Sequence, residues 1–324
     1  MRVRSFLAGV VATLGVGAVA AVVGERQVIR RLERSPVPDG WVTPRFPDGA
    51  EVMVPTDDGA ELMVALAGPD DGPPVMLVHG LTSNHHDWGP VAQRLVAAGH
   101  RVIGVNQRGH GGSTIGSDGF GPERQGTDLG QVLDALDLRG VTLVGHSMGG
   151  IAALSLMILA PDSGAARVRS LVLVATLAST TGVDRRNGLK VAGRDNRVIT
   201  EHPIHGRVFA RALFGASPSA AMVDDALASA GRCPDAARIG ASTGLIGYDV
   251  RSGLGDITIP TTVVCGTRDR LTPLSENKRI AAAIPDAELV VVPGAGHLLI
   301  WEEPDIVASA ISDRVAAGTV LEID

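Results

Sequence analysis

Little in this chain of 324 residues points to crosslinks or metals. Two cysteines, Cys233 and Cys265, are too few for a disulfide framework or a cysteine-built structural zinc site. They read as two free thiols, with a bridge between them the alternative. The adjacent His85 and His86 have no third ligand at metal-binding spacing and read as solvated loop histidines. Aromatic residues make up 3% of the chain, and its net charge of −6 suits nucleic acid poorly. Gly104, Gly109, Gly111 and Gly112 lack the G-x-G-x-x-G spacing of a loop that opens a helix around a phosphate. No cofactor, metal or nucleic-acid partner is therefore expected. There is no internal repeat and no long charge run. With 45% hydrophobic residues the chain is not disordered, and its length buries a real core in one large domain or two ordinary ones.

The charge is divided unevenly. Residues 1–34 hold six Arg against Glu25 and Glu33, a net of +4, which leaves −10 for the rest. Twenty uncharged residues run from Ser5 to Gly24. As a helix rising about 1.5 Å per residue they match a bilayer core of about 30 Å. Three readings stand: an uncleaved anchor, a signal peptide cut near Ala18-Val19-Ala20, and a buried helix. The anchor is favoured, because the run exceeds a signal core of about 7–15 residues. The flank from Glu25 to Arg34 continues as a basic helix suited to anionic headgroups. The expectation is a single membrane span with the catalytic side undecided, or secretion if the segment is cleaved. Residues 35–49 contain four Pro and read as an extended linker.

From residue 50, strands and helices alternate. Glu51–Val54 and Glu61–Ala67 read as strands around the Asp57-Asp58-Gly59 turn. Val75–Val78, Arg101–Asn106, Val141–Val144, Val168–Ala175, Thr261–Cys265 and Glu288–Val292 read as further strands. Helices fit Pro90–Ala98, Pro122–Leu138, Met148–Leu159, Ser275–Ala283 and Pro304–Val315. This rhythm predicts an α/β fold with a parallel sheet. Residues 177–255 break it, and an insertion of that size is expected to form a helical cap over the sheet edge. Its only aromatics are Phe209, Phe214 and Tyr248, which suggests an aliphatic pocket.

The strongest chemical signal is Gly145-His146-Ser147-Met148-Gly149. This G-x-S-x-G lies between a strand and a helix, where a strained turn exposes the serine oxygen. A serine needs a base, and the base needs an orienting acid. His297 follows the last strand and Asp269 follows the strand Thr261–Cys265. The assignment is Ser147 as nucleophile, His297 as base then acid, and Asp269 as the group that sets the imidazole tautomer. Asp256 is a weaker alternative because it precedes its strand. The oxyanion donors are expected to be the backbone N–H groups of Met148 and of Leu81 in the His79-Gly80-Leu81 loop. His146 reads as packing or hydrogen-bonding at the elbow, and Trp88 as core packing below the oxyanion loop or as a wall of the acyl pocket.

Together these motifs, with Asn106-Gln107-Arg108-Gly109-His110-Gly111, Pro273, Glu302 and Pro304, resemble the α/β-hydrolase superfamily over about residues 50–318, leaving a tail at 319–324. The resemblance implies an eight-stranded, mostly parallel sheet with a mobile lid, of the serine esterase and lipase-like kind. Ser147 argues against similar dehalogenases and epoxide hydrolases, which place Asp at this turn. The family often has Asp where this chain has Asn106, a loop-supporting position. The leading expectation is hydrolysis of a small carboxylic ester through an acyl-enzyme, with lipid-like esters included because an anchor would hold the site near a membrane. Alternatives are a cofactor-free perhydrolase of the haloperoxidase kind, a carbon–carbon bond hydrolase using the same three residues, and a non-enzymatic ligand sensor.

Overall fold

The structure is a computed structural model that describes residues 27–38, 41–181 and 203–319. Eight strands form one sheet: β1 (Ala50–Pro55), β2 (Glu61–Ala67), β3 (Pro74–Val78), β4 (Arg101–Val105), β5 (Val141–His146), β6 (Val168–Val174), β7 (Thr261–Gly266) and β8 (Glu288–Val292). Their spatial order is β1-β2-β4-β3-β5-β6-β7-β8. β2 runs antiparallel to both neighbours, and every other pairing is parallel. The β1–β2 hairpin turns at Asp57-Asp58-Gly59, where Gly59 has φ 85°.

The central strands are apolar on both faces because both are covered. In β3, Met76 and Val78 enter one cluster while Val75 and Leu77 enter the other. This is the two-residue alternation of a strand. On one face lie helices α2 (Pro122–Ala135) and α3 (Met148–Ile158), through Leu129, Leu133 and Ile151. On the other lie α1 (Gly89–Ala97) and α9 (Pro304–Thr319), through Val91, Leu95, Val307 and Ile311.

Between β6 and β7 the described insertion holds α4 (Pro203–Leu213), α5 (Ala220–Gly231) and α6 (Asp235–Gly244). Then come α7 (Leu274–Ala283) and the single turn α8 (Leu299–Glu302). The chain leaves β3 toward β4 on one side and returns to β5 on the other. A crevice opens outside the strand ends at such a reversal, and the loops after β3 and β5 both lie there.

The membrane expectation does not stand. Residues 5–24, on which it rested, lie outside the described residues. Among the described residues, no helix is long and apolar enough to cross a membrane. The supposed membrane flank is a short helix at 27–34 whose Leu32 is 3% exposed and sits in the same core cluster as Phe46 and Trp88. Its apolar side chains serve the protein's own packing. The case for lipid-like substrates falls with the anchor.

Residues 41–48 are extended and held against the domain. Phe46 is buried, and Trp41 stacks at a tilt on Trp301 with ring centroids 5.9 Å apart. The Trp41 indole N–H and the Thr43 hydroxyl each donate to Asp225 of α5 across 3.1 Å. The segment thereby ties the insertion to the sheet.

Candidate active site

β5 ends in a turn that leaves little room. Ser147 has φ 54° and ψ −117°, in a region that non-glycine residues rarely enter, and it opens α3. A Cβ on Gly145 would lie 2.3 Å from the Gly149 carbonyl oxygen, and one on Gly149 would lie 2.2 Å from that of Val78. Both glycines are therefore demanded by close chain approach. Thr176, just past β6, donates its hydroxyl to the Ser147 carbonyl across 2.7 Å, and the Ser147 N–H donates to Val174. The strained residue is held from both sides.

The loops after β7 and β8 bring the other two residues to it. His297 Nε2 lies 3.0 Å from Ser147 Oγ, and His297 Nδ1 lies 2.9 Å from Asp269 Oδ2. The Nδ1–H donates to the carboxylate, which leaves Nε2 free to accept from the serine hydroxyl. Burial raises the cost of a charge on Asp269. The His297 imidazole, the Thr272 hydroxyl and a backbone N–H outweigh that cost and lower its pKa. The three residues lie together although they come from three separate loops. Asp256 is exposed at the end of a short turn before β7 and takes no part.

Leu81 borders the cavity in front of Ser147. Met148 is the first residue of α3, and the N–H groups of a first turn have no intrahelical partner. His79 shapes the loop that carries Leu81. The Gln107 N–H donates to His79 Nε2 across 3.0 Å, so Nδ1 carries the proton and donates to the Gly80 carbonyl across 2.7 Å. Burial and the neighbouring histidines hold the His79 pKa well below the usual range, so this ring is neutral. Asn106 accepts the His85 N–H across 2.8 Å and donates to the Gly111 carbonyl across 2.8 Å, joining two loops.

Several buried side chains support Ser147, Asp269 and His297, and one of these supports departs from its expectation. His85 is not solvated: it is 3% exposed, edge-on to Phe46 and beside Asn106. His146 is buried, with its pKa pushed down to about 3 by burial and by His297. As a neutral ring it donates Nε2–H to the His297 carbonyl across 2.9 Å. Trp88 is fully buried edge-on to His146. Glu302 accepts the Gly296 N–H on one carboxylate oxygen and the Gly215 N–H on the other, each across 2.7 Å. It joins the His297 loop to the insertion. Burial raises its pKa against the pull of those two donors. Cys233 and Cys265 are buried free thiols.

The cavity at Ser147 holds about 180 Å3. The insertion supplies much of its wall, including Phe209, Leu213, Leu227 and Ala230. Among the described residues that line it, two charged side chains break this apolar wall. Asp87 accepts hydroxyl hydrogen bonds from Ser83 and, across 2.8 Å, from Ser229 of α5. Burial pushes its carboxyl up to about 6. The other charged side chain is Arg238 of α6.

Residues 73–304 match the alpha/beta hydrolase fold family. The chain belongs to that family. This alpha/beta hydrolase is similar to a protein from Variovorax paradoxus named as a candidate carbamate hydrolase, RutD, at 36% identity over 256 residues, 77% of this chain and 94% of the relative. It is also similar to the non-heme chloroperoxidase CPO-A1 of Kitasatospora aureofaciens, at 32% identity over 75% of this chain and 90% of that one. Among solved structures, a hydrolase from Pseudomonas aeruginosa superimposes with a TM-score of 0.70 at 28% identity, covering 83% of this chain and 99% of the other. An esterase from Exiguobacterium antarcticum gives a TM-score of 0.72 at 24% identity over 82% and 100% of the two chains, a likeness of fold.

Proposed function

We propose that this alpha/beta hydrolase is a serine hydrolase that cleaves carboxylic esters through an acyl-enzyme. One observation carries the reading: a single imidazole bridges the strained Ser147 hydroxyl and the buried Asp269 carboxylate.

Ser147 Oγ attacks the ester carbonyl carbon while His297 Nε2 takes its proton. The negative charge that forms on the carbonyl oxygen is received by the N–H groups of Leu81 and Met148. Asp269 holds the imidazole in the tautomer with a free Nε2 and stabilises the imidazolium. The carbon–oxygen bond to the leaving group breaks, and His297 returns the proton to the departing alcohol. A water molecule then gives a proton to His297 and adds to the acyl carbon. Collapse releases the acid and restores the Ser147 hydroxyl. Every step uses side chains and backbone groups of this chain, with water as co-substrate.

Turnover of short 4-nitrophenyl esters tests this. Wild type is expected to hydrolyse them, with kcat falling by about 10⁴ or more in Ser147→Ala. Undiminished hydrolysis by the variant overturns the assignment. The likeness to a named chloroperoxidase supports a second reading: the same acyl-enzyme transfers its acyl group to hydrogen peroxide instead of water. Peroxyacid formation from acetate and peroxide distinguishes it.

A further inference from the structure

Arg238 is the one arginine among the described residues that line the cavity in front of Ser147, and it is 6% exposed. Its hydrogen bonding is incomplete. The side of a guanidinium that carries Nε and Nη2 forms a two-pronged fork that matches a carboxylate. Among the described residues, Arg94, Arg108, Arg124, Arg207 and Arg251 each give both prongs to one acid. Arg94 donates from Nε and Nη2 to the two oxygens of Asp305 across 2.5 and 3.0 Å. Arg108 does the same to Asp128 across 2.7 and 2.9 Å. Arg207 does so to Asp224 across 2.7 and 2.6 Å.

Arg238 fills only half. Its Nη2 pairs with Asp235, one turn back on α6, and the Asp235 carboxylate is itself mostly exposed to solvent. The Arg238 Nε is buried and has no hydrogen-bond partner among the described residues. A buried charged donor without an acceptor is costly, and native proteins rarely leave one so. The other acid in the cavity does not supply the acceptor. Asp87 is occupied by Ser83 and Ser229, and no hydrogen bond or ion pair joins it to Arg238.

We propose that Arg238 is a specificity-determining residue that receives a carboxylate carried by the substrate. The preferred substrates are then esters with a free carboxylate elsewhere in the molecule. The apolar walls hold the intervening carbon chain, and the ester carbonyl sits at Ser147. This rests on the ester-hydrolase reading for the identity of the scissile bond, but not for the carboxylate contact itself.

Binding is measured without turnover by calorimetric titration of the Ser147→Ala protein. One arm uses monomethyl glutarate and monomethyl adipate, which carry the carboxylate on the acyl side, against methyl pentanoate and methyl hexanoate. A second arm uses 4-acetoxybutanoate, which carries it on the alcohol side, against butyl acetate. The carboxylate-bearing ester of at least one arm is expected to bind at least tenfold tighter than its neutral counterpart. Arg238→Gln added to Ser147→Ala is expected to remove that difference, and Arg238→Lys to retain part of it. The arm that shows the difference identifies the side that bears the carboxylate. Each affinity ratio is taken within one protein, so a general loss of stability does not imitate the effect. Should the glutamine variant fail to fold, the lysine variant carries the comparison. Equal binding of charged and neutral esters in both arms, or a preference that survives Arg238→Gln, overturns the proposal. Charge-dependent binding in a protein whose wild type hydrolyses no ester would instead overturn the ester reading and leave the Arg238 site standing.

Discussion

His146 Nε2 donates its proton to the backbone carbonyl oxygen of His297, 2.9 Å away and 151 positions along the chain. The residue before the candidate nucleophile thus holds the loop of the candidate base, beside the anchors that Glu302 and Asp269 give it. A phenyl ring at this position keeps the packing against Trp88 and removes the donor. His146→Phe is expected to lower kcat for 4-nitrophenyl esters by about 10- to 100-fold, the scale of a misplaced catalytic group. Far-UV circular dichroism is expected to be unchanged. Wild-type kcat in this variant would show that the contact positions nothing.

Glu302 divides its two oxygens between Gly296 beside the base and Gly215 of the insertion. Glutamine offers one carbonyl oxygen and turns an N–H2 toward the second donor. Glu302→Gln is expected to destabilise the fold by about 1–3 kcal/mol in urea unfolding, the cost of an unsatisfied buried polar group. It is also expected to lower kcat, because the His297 loop loses an anchor. Unchanged stability would count against this bridge.

Asp87 makes stability depend on pH. Its folded carboxyl titrates near 6, above the unfolded value of 3.8, because it is buried. Between those values the folded chain keeps a proton that the unfolded chain has released, so this group's contribution to stability is present at low pH and lost as pH rises through about 6. Asp87→Asn removes the titration. The stability of the variant relative to wild type is expected to improve from pH 4 to pH 7, by about 3 kcal/mol at most. Urea melts of both proteins across that range measure it. A difference that stays flat with pH would mean that Asp87 is ionised throughout.

The contact between Trp41 and Asp225 ties residues 41–48 to helix α5. Single changes Trp41→Phe and Asp225→Ala, and their combination, form a double-mutant cycle. A coupling of about 0.5–1.5 kcal/mol is expected for a partly buried hydrogen bond. Additive effects would remove the tie.

Much of the fold was legible because it is written in local patterns. The apolar runs of β3, β5, β6 and β7 announce strands covered on both faces, and their alternation with helices announces a parallel sheet. Ser147 and Asp269 were legible as candidates because each follows such a strand, and His297 because it follows the last strand, β8. Their juxtaposition then follows from the sheet order, which sets β5, β6, β7 and β8 side by side. What escaped notice depends on contacts between distant segments. Asp87 meets Ser229 across 142 positions, and Trp41 meets Asp225 across 184. Neither pair leaves a periodic trace. Arg238 was likewise invisible, since its meaning lies in a missing partner. The apolar run at 5–24 misled in another way. Its length and the basic flank after it carried the membrane expectation, whereas that flank supplies Leu32 to the protein's own core.

The role of Ser147 is tested most directly by covalent trapping. Wild type and Ser147→Ala are each incubated with a fluorophosphonate, and their intact masses are measured. One adduct per chain is expected in wild type, located on Ser147 by peptide mapping, and none in the variant. Slower labelling is expected in Asp269→Asn, where the imidazole loses its orienting acid. An unlabelled wild type, or an adduct that persists in Ser147→Ala, would contradict the assignment of Ser147 as an activated nucleophile.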